Sequence, residues 1–198
     1  HNMLGSYKYF SRLVSEDTPL TGDISPSYNA LTAESLSFIK LKMEAAGFRV
    51  KLVFLMRDPV KRCWSAARMV MGRGENRGSD VFTQETATAF FETYFKGKEA
   101  QRRTDYAGTI KNVESVFAPE DTYFGIFEEM FTPDRVRDMS DFLDVEYRPD
   151  FSEVRVHESP NLFVPDPSLF VECRAYYDDI YEFCYDRFPQ TRDLWMAG

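Results

Sequence analysis

Histidine and cysteine are scarce in this 198-residue chain, which has two of the first and three of the second. Cys63, Cys173 and Cys184 form no even framework and no metal-ligand spacing, and two of them fall inside apolar helical patterns. Buried free thiols are therefore expected, and neither a disulfide scaffold nor a metal site. No apolar run approaches membrane-spanning length, and the start lacks the basic-then-apolar pattern of a signal peptide, so no transmembrane segment is expected. With no disulfide pattern, a cytoplasmic location is expected. Basic residues are outnumbered by acidic ones, 24 to 32, for a formal charge of -8. That balance repels a duplex backbone and argues against general nucleic-acid binding. An anionic ligand would have to be met by a local cluster of Arg, Lys and backbone amides. Nothing in the composition fixes an oligomeric state.

What is present is an ordinary globular mixture, 43% hydrophobic and 28% charged, with 18 Phe and 11 Tyr. The length fits one domain with a real core, and residues 1–198 are read as that domain. Tyr7 to Val14 reads as a short strand. Thr32 reads as a helix cap, followed by Leu36, Ile39 and Met43 at helical spacing until Gly47 ends the run. Val50 to Met56 is a compact apolar run, the pattern of a buried parallel strand. Asp58 and Pro59 then make a helix start, a side-chain cap followed by proline at the first helical position. Met71 to Asp80, with three glycines, reads as a mobile loop. Helical patterns resume over Phe82 to Lys98 and Asp105 to Phe117, and Thr122 to Phe127 is a second strand. Thr132-Pro133 and Asp166-Pro167 repeat the cap-plus-proline start and open helices toward Leu143 and Phe188. Strands separated by helices predict an α/β domain, a mostly parallel sheet flanked by helices.

The richest unit is strand, turn, helix from Lys51 to Met69. Ligands of open parallel sheets bind beyond the carboxyl ends of the strands, where Arg57 directly follows the apolar run. The helix starting at Pro59 brings unpaired amides and a favourable dipole. Arg62, Ser65 and Met69 share one face of it, while Trp64, Ala67 and Met71 share another that is expected to pack on the sheet. A guanidinium at the strand end and a hydroxyl on the helix fit one phosphate, because the planar fork of Arg bonds phosphate oxygens bidentately. An Arg-Asp pair that only caps a helix, with Ser65 as a packing residue, is the other reading of the same spacing.

The string KLVFLMRDPVKRCWSAARM resembles the 3′-phosphate-binding segment of the PAPS-dependent sulfotransferases. There an Arg ends a strand and a Ser eight positions later lies on the next helix, as Arg57 and Ser65 do. Upstream, TGDISPSYNAL is similar to the family's Gly-acid-x-Thr/Ser-Pro-x-Tyr element through Gly22, Asp23, Ser25, Pro26 and Tyr28. Weaker similarity continues through RTDYAGTIKNVESVF, FEEMF and FLDVEY, so that the resemblance covers most of Tyr7 to Val156. Together these elements point to the bacterial and heparan-type branch.

The resemblance implies a P-loop, nucleotide-kinase-like fold and transfer of a sulfuryl group from PAPS to a hydroxyl or amine, leaving PAP, without a metal. The acceptor would be a small molecule or carbohydrate. Catalysis would be mainly positioning and charge neutralisation in an in-line displacement. Arg57, Ser65 and Arg62 would bind the donor, Lys8 would stabilise the leaving phosphate, and Asp23 would be the base. Asp23 reads equally as a structural acid, and Tyr28 as lining of the acceptor pocket or as packing. If Tyr9 and Phe10 align with the aromatics that follow the heparan-type catalytic Glu, Ser6 stands at the Glu and Lys8 at the His. The family's Gly-rich phosphosulfate loop has no match in the first fifty residues, and this loop with the first strand is expected upstream of His1. The late Lys-Gly-rich loop has no match after Val156 either, since SPNLFVPDPS brings no basic residue. His157 reads as a partly buried surface residue, the adjacent Glu128 and Glu129 as solvated or capping groups. Phe170, Cys173, Tyr177, Tyr181 and Cys184 form one apolar stripe, read as a closing helix of the core. Two rivals remain: a kinase-like enzyme of the same broad fold, and a catalytically inactive nucleotide-binding or interaction module.

Overall fold

The computed structural model describes residues 10, 12–15, 19–75, 83–153 and 164–196. In chain order the elements are α1 (Ala33–Ala45), β1 (Leu52–Met56), α2 (Pro59–Glu75), α3 (Gln84–Phe95), α4 (Lys98–Thr104), α5 (Tyr106–Glu114), β2 (Thr122–Ile126), α6 (Pro133–Leu143), α7 (Pro167–Tyr176), α8 (Asp178–Arg187) and α9 (Gln190–Met196). The protein is mixed α/β and mostly helical, with β1 and β2 paired in a small parallel sheet flanked by helices. The Phe127 N–H donates to the Met56 carbonyl at 2.7 Å and extends the pairing past the strand ends. Among the described residues no helix is long and apolar enough to cross a membrane.

The helix starts follow their side chains. Thr32 accepts the Ser35 N–H, Asp58 accepts the Lys61 N–H at 2.8 Å, Thr132 accepts the Arg135 N–H, and Asp166 accepts the Ser168 N–H at 2.8 Å. Each satisfies an amide that the first turn leaves without an intrahelical partner. The end of α1 is equally local. Gly47 takes φ +88, and the Phe48 and Gly47 amides return to the Met43 and Glu44 carbonyls at 3.1 and 2.9 Å. That pair of bonds needs a left-handed residue, which glycine supplies without strain.

The chain divides into two compact units. The first comprises His1–Phe54 and Gly108–Tyr123. It buries Leu36 of α1 with Ile110 and Val113 of α5 and the following Phe117. Thr109 and Asn112 donate side-chain hydrogen bonds to the Asn29 and Leu31 carbonyls at 2.8 and 3.2 Å, and Arg49 pairs with Asp121 at 2.8 Å.

The second unit comprises Leu55–Ala107 and Phe124–Gly198 and holds most of the large buried side chains. Its centre is aromatic. Trp64 meets Phe91 edge-on at 5.3 Å and Phe170 at 6.4 Å, while Phe91 also contacts Phe95 at 5.4 Å. Tyr181 packs against Trp195 at 5.8 Å. Such tilted and edge-to-face pairs satisfy the ring quadrupoles while removing large apolar areas from water.

Several expectations are corrected. Phe10, Arg12 and Leu13 have helical backbone, not strand; Phe10, Leu13 and Val14 lie three and four residues apart, a helical period that outweighs the apolar content. Met71 to Glu75 belongs to α2 and not to a loop, and residues 76–82 lie outside the description. β1 is not buried throughout: Val53 and Leu55 are each 38% exposed, and only Met56 is fully enclosed. The Trp64 face of α2, expected on the sheet, packs through Trp64 on α3 and α7, where it meets Phe91 and Phe170 edge-on. The run from Pro167 to Phe188 is broken at Tyr177, whose φ of -109 and ψ of 23 leave the helical region; Asp178 and Asp179 then start α8. The stripe survives the break, since Cys173, Tyr177, Tyr181 and Cys184 are all buried.

Candidate functional site

Arg57, Asp58, Ser65 and Arg68 mark the site, all within the second unit. β1 ends at Met56, and the next residue turns its guanidinium over the Phe127 ring, 4.6 Å from the centroid. A cation over an aromatic face is attracted by the ring quadrupole, which aims Arg57 beyond the strand end. Arg57 Nε is buried and makes no hydrogen bond among the described residues. Arg68 lies near enough that the Arg57 charge, after burial, holds the Arg68 guanidinium below its usual pKa. Arg68 also lies 5.8 Å from the Trp64 ring centroid. Ser65 is half-buried, three residues before Arg68 and on the same side of α2. Arg57 and Arg68 thus bring two guanidiniums near each other on the side of α2 that carries Ser65.

The backbone under Arg57 is held from both sides. Tyr106 Oη donates to the Arg57 carbonyl at 2.7 Å, and the Asp58 N–H donates to Glu128 Oε1 at 3.0 Å. These two atoms belong to a single peptide group, so its plane is fixed by two side chains from other elements. Glu128 Oε2 accepts the Trp195 indole N–H at 3.0 Å, and Tyr181 Oη donates to Asp58 Oδ2 at 3.1 Å. Burial pushes the Asp58 carboxyl above its ordinary pKa, and burial likewise pushes the Tyr106 and Tyr181 phenols up. Both tyrosines therefore remain hydroxyl donors at neutral pH.

The first turn of α2 differs from the sequence expectation of open amides. Pro59 has no N–H, the Val60 N–H reaches Tyr181 Oη at 3.4 Å, and the Lys61 N–H is capped by Asp58. The Arg62 N–H donates to the Asp58 carbonyl at 2.8 Å. An anion here would be held by side chains, with only the helix dipole in support.

Arg62 is placed elsewhere. One of its terminal nitrogens bonds Thr104 Oγ1 at 2.5 Å, the Ala100 carbonyl at 3.1 Å and Cys63 Sγ at 3.0 Å. The guanidinium is thus committed to α4, and the helical face expected to unite Arg62 with Ser65 separates at the side-chain level. Asp23 belongs to the first unit, where Tyr28 Oη donates to its Oδ2. That bond raises the Tyr28 pKa and occupies one carboxylate oxygen. Lys8, Ser6 and His157 lie outside the described residues.

No known protein family, curated protein or solved structure matches this chain. The site is therefore read from its own residues. Sequence reasoning missed three of them, Arg68, Phe127 and Tyr106, and read Glu128 only as a solvated or capping group. Spacing held a signal for Arg68, one turn beyond Ser65, and for Phe127, which follows β2 as Arg57 follows β1. Tyr106 and Glu128 carried none, because their roles depend on elements far apart in the chain.

Proposed function

We propose that the chain binds the 3′-phosphate of PAPS or PAP through Arg57, Arg68 and Ser65 and transfers the sulfuryl group to a hydroxyl or amine of a small-molecule or carbohydrate acceptor. The observation that carries this reading is Arg57 itself. It follows a strand end, lies over Phe127 with Nε unbonded among the described residues, and has a second guanidinium close by. A dianionic phosphate would relieve the repulsion between Arg57 and Arg68 and accept charge-assisted hydrogen bonds from both. The resemblance around Arg57 and Ser65, and the P-loop sulfotransferase architecture that goes with it, supply the identity of the donor.

In the transfer, the bond from sulfur to the PAP phosphate oxygen breaks as the acceptor oxygen or nitrogen bonds to sulfur in line. The acceptor proton passes to a base, the role that the resemblance gives to Asp23. Lys8 is assigned to the charge that develops on the leaving phosphate. No metal enters this scheme.

The alternative is a module that binds the nucleotide without transfer, favoured by Ser6 at the position where the resemblance expects a catalytic Glu. Two measurements test the site and the two readings. PAP is expected to raise the Tm of the wild-type protein, and Arg57→Ala to abolish most of that shift, worth roughly 1.5–3 kcal/mol for a lost charged hydrogen bond. Identical responses of wild type and variant would overturn the site. Transfer of label from sulfur-labelled PAPS across a panel of hydroxyl and amine acceptors separates enzyme from module, and full activity in Asp23→Asn would remove Asp23 from the role of base.

A further inference from the structure

Trp195 of α9 touches the two residues that grip Asp58. Its indole N–H donates to Glu128 Oε2 at 3.0 Å, and the other oxygen of that carboxylate, Oε1, accepts the Asp58 N–H at 3.0 Å. The Tyr181 ring meets the Trp195 ring edge-on at 5.8 Å, and Tyr181 Oη donates to Asp58 Oδ2 at 3.1 Å. Trp195, Tyr181 and Asp58 are all buried. Two routes, one through Glu128 and one through Tyr181, therefore run from a side chain of α9 to the residue that follows Arg57.

Arg57 is held at both ends by consecutive residues. Its guanidinium lies over the Phe127 ring at 4.6 Å, and the peptide that joins it to Asp58 is bonded by Glu128. Phe127 is itself tied to the end of β1, where its N–H donates to the Met56 carbonyl at 2.7 Å. The aim of Arg57 then depends on the rotation of the Glu128 carboxylate, and the terminal torsion of a glutamate is soft. A donor on each oxygen removes that freedom: with the indole N–H on Oε2, Oε1 is directed at the Asp58 N–H. The helix that brings the indole has seven residues, too few to be stable alone. Its place rests on Thr191 and Trp195, four residues apart on one face and both buried.

On the reading that Arg57 binds the 3′-phosphate of PAP or PAPS, we propose that Trp195 is a positioning residue for the phosphate grip and that the docking of α9 is coupled to the ligand. With α9 docked, the peptide between Arg57 and Asp58 is fixed in advance, so less conformational freedom is lost when the guanidinium meets the phosphate. With α9 released, Glu128 loses one of its two donors and Tyr181 loses the ring against its edge. The guanidinium then samples other directions, and the phosphate binds more weakly. Such coupling is reciprocal: PAP favours the docked helix by the same factor by which the docked helix favours PAP.

The test titrates PAP calorimetrically into the wild-type chain, Arg57→Ala and Trp195→Phe, each at a temperature where it is folded. It also follows hydrogen exchange of the wild type with and without PAP. Trp195→Phe keeps an aromatic ring against Tyr181 and removes the indole N–H. A PAP Kd at least ~5-fold weaker than that of wild type is expected in folded Trp195→Phe. Exchange across residues 190–196 of the wild type should slow when PAP is bound. A residue that only stabilised the fold would lower the Tm and leave the Kd of the folded variant alone. An unchanged Kd in Trp195→Phe, or unchanged exchange across 190–196 at saturating PAP, would overturn the coupling while Arg57-dependent binding keeps the site. PAP binding that is absent from the wild type, or indifferent to Arg57→Ala, would overturn the site and the coupling together. The exchange measurement needs only the wild type and decides the question even if Trp195→Phe fails to fold.

Discussion

Glu128 accepts the backbone N–H of Asp58 at 3.0 Å, and through its other oxygen it holds the Trp195 indole. One carboxylate thereby joins the turn after β1 to α9. In Glu128→Ala both donors lose their acceptor inside the protein, at about 1–3 kcal/mol for each buried unsatisfied group. Glu128→Gln keeps one acceptor oxygen but faces the other donor with an N–H, so its loss should be intermediate. Urea unfolding of the three proteins checks the order wild type, Gln, Ala; equal midpoints for Ala and wild type would show that the carboxylate does not support the turn.

Tyr106 holds the other edge of the same peptide through the Arg57 carbonyl. Tyr106→Phe preserves the ring in its buried place and removes only the hydroxyl, so a loss of about 1 kcal/mol is expected in urea unfolding. On the proposed reading, the PAP-induced rise in Tm should also shrink, because Arg57 is no longer held at one angle. An unchanged PAP response with the expected stability loss would limit Tyr106 to a structural role.

These two relationships mark where sequence reasoning stopped. The helix starts at Thr32, Asp58, Thr132 and Asp166 were legible because a cap and its amide lie two or three residues apart in the chain. Both strands were legible as short apolar runs. The break at Tyr177 was not, since Phe170 to Cys184 keep their spacing across it. The helices α4 and α9 escaped notice because seven residues carry too little periodicity. At the site, Arg57 and Ser65 were visible as a pattern, whereas the burial of Arg62 against Thr104 is a property of α2 meeting α4, which no local spacing encodes.

Asp58 links stability to pH. Burial raises its carboxyl pKa above the ordinary 3.8, with the nearby Glu128 adding to the rise. A raised carboxyl means that the folded state holds its proton at a pH where the unfolded chain has lost it. Its stabilising contribution is therefore complete below the ordinary value and declines as pH rises through the folded one. Asp58→Asn removes that dependence. The stability of the variant relative to wild type should improve on going from about pH 4 to pH 7, measured as urea midpoints at each pH. A difference that stays constant across this range would contradict the raised carboxyl.

Arg68 should separate ligand binding from folding. Its guanidinium is only partly enclosed, so Arg68→Gln is expected to change the Tm of the free protein less than Glu128→Ala does, which strips the acceptor from two donors. In the presence of PAP the variant should lose a large part of the wild-type rise, by roughly 1.5–3 kcal/mol for a charge-assisted bond to phosphate. Thermal unfolding with and without PAP gives both quantities from one preparation. A full PAP response in Arg68→Gln would leave Arg57 and Ser65 as the phosphate grip and exclude Arg68 from it.

Arg62 should behave in the opposite way. Its terminal nitrogen bonds Thr104, the Ala100 carbonyl and Cys63 in the interior, so truncation removes packing and the charged donor to Thr104 Oγ1 and Cys63 Sγ, while the Ala100 carbonyl keeps the Thr104 hydroxyl. A destabilisation of about 3–5 kcal/mol is expected for Arg62→Ala, the range for breaking a buried charged contact from one side. Arg62→Lys should recover only part of it, because an ammonium is more strongly hydrated than a guanidinium and so costs more to bury, even though a single nitrogen carries all three contacts. The PAP response gives the decisive contrast. At a temperature where Arg62→Lys is fully folded, PAP affinity by calorimetric titration should equal that of wild type, since this side chain is turned toward α4. A marked loss of affinity in a folded Arg62→Lys protein would place Arg62 back beside Ser65 at the phosphate and overturn the assignment drawn from its contacts.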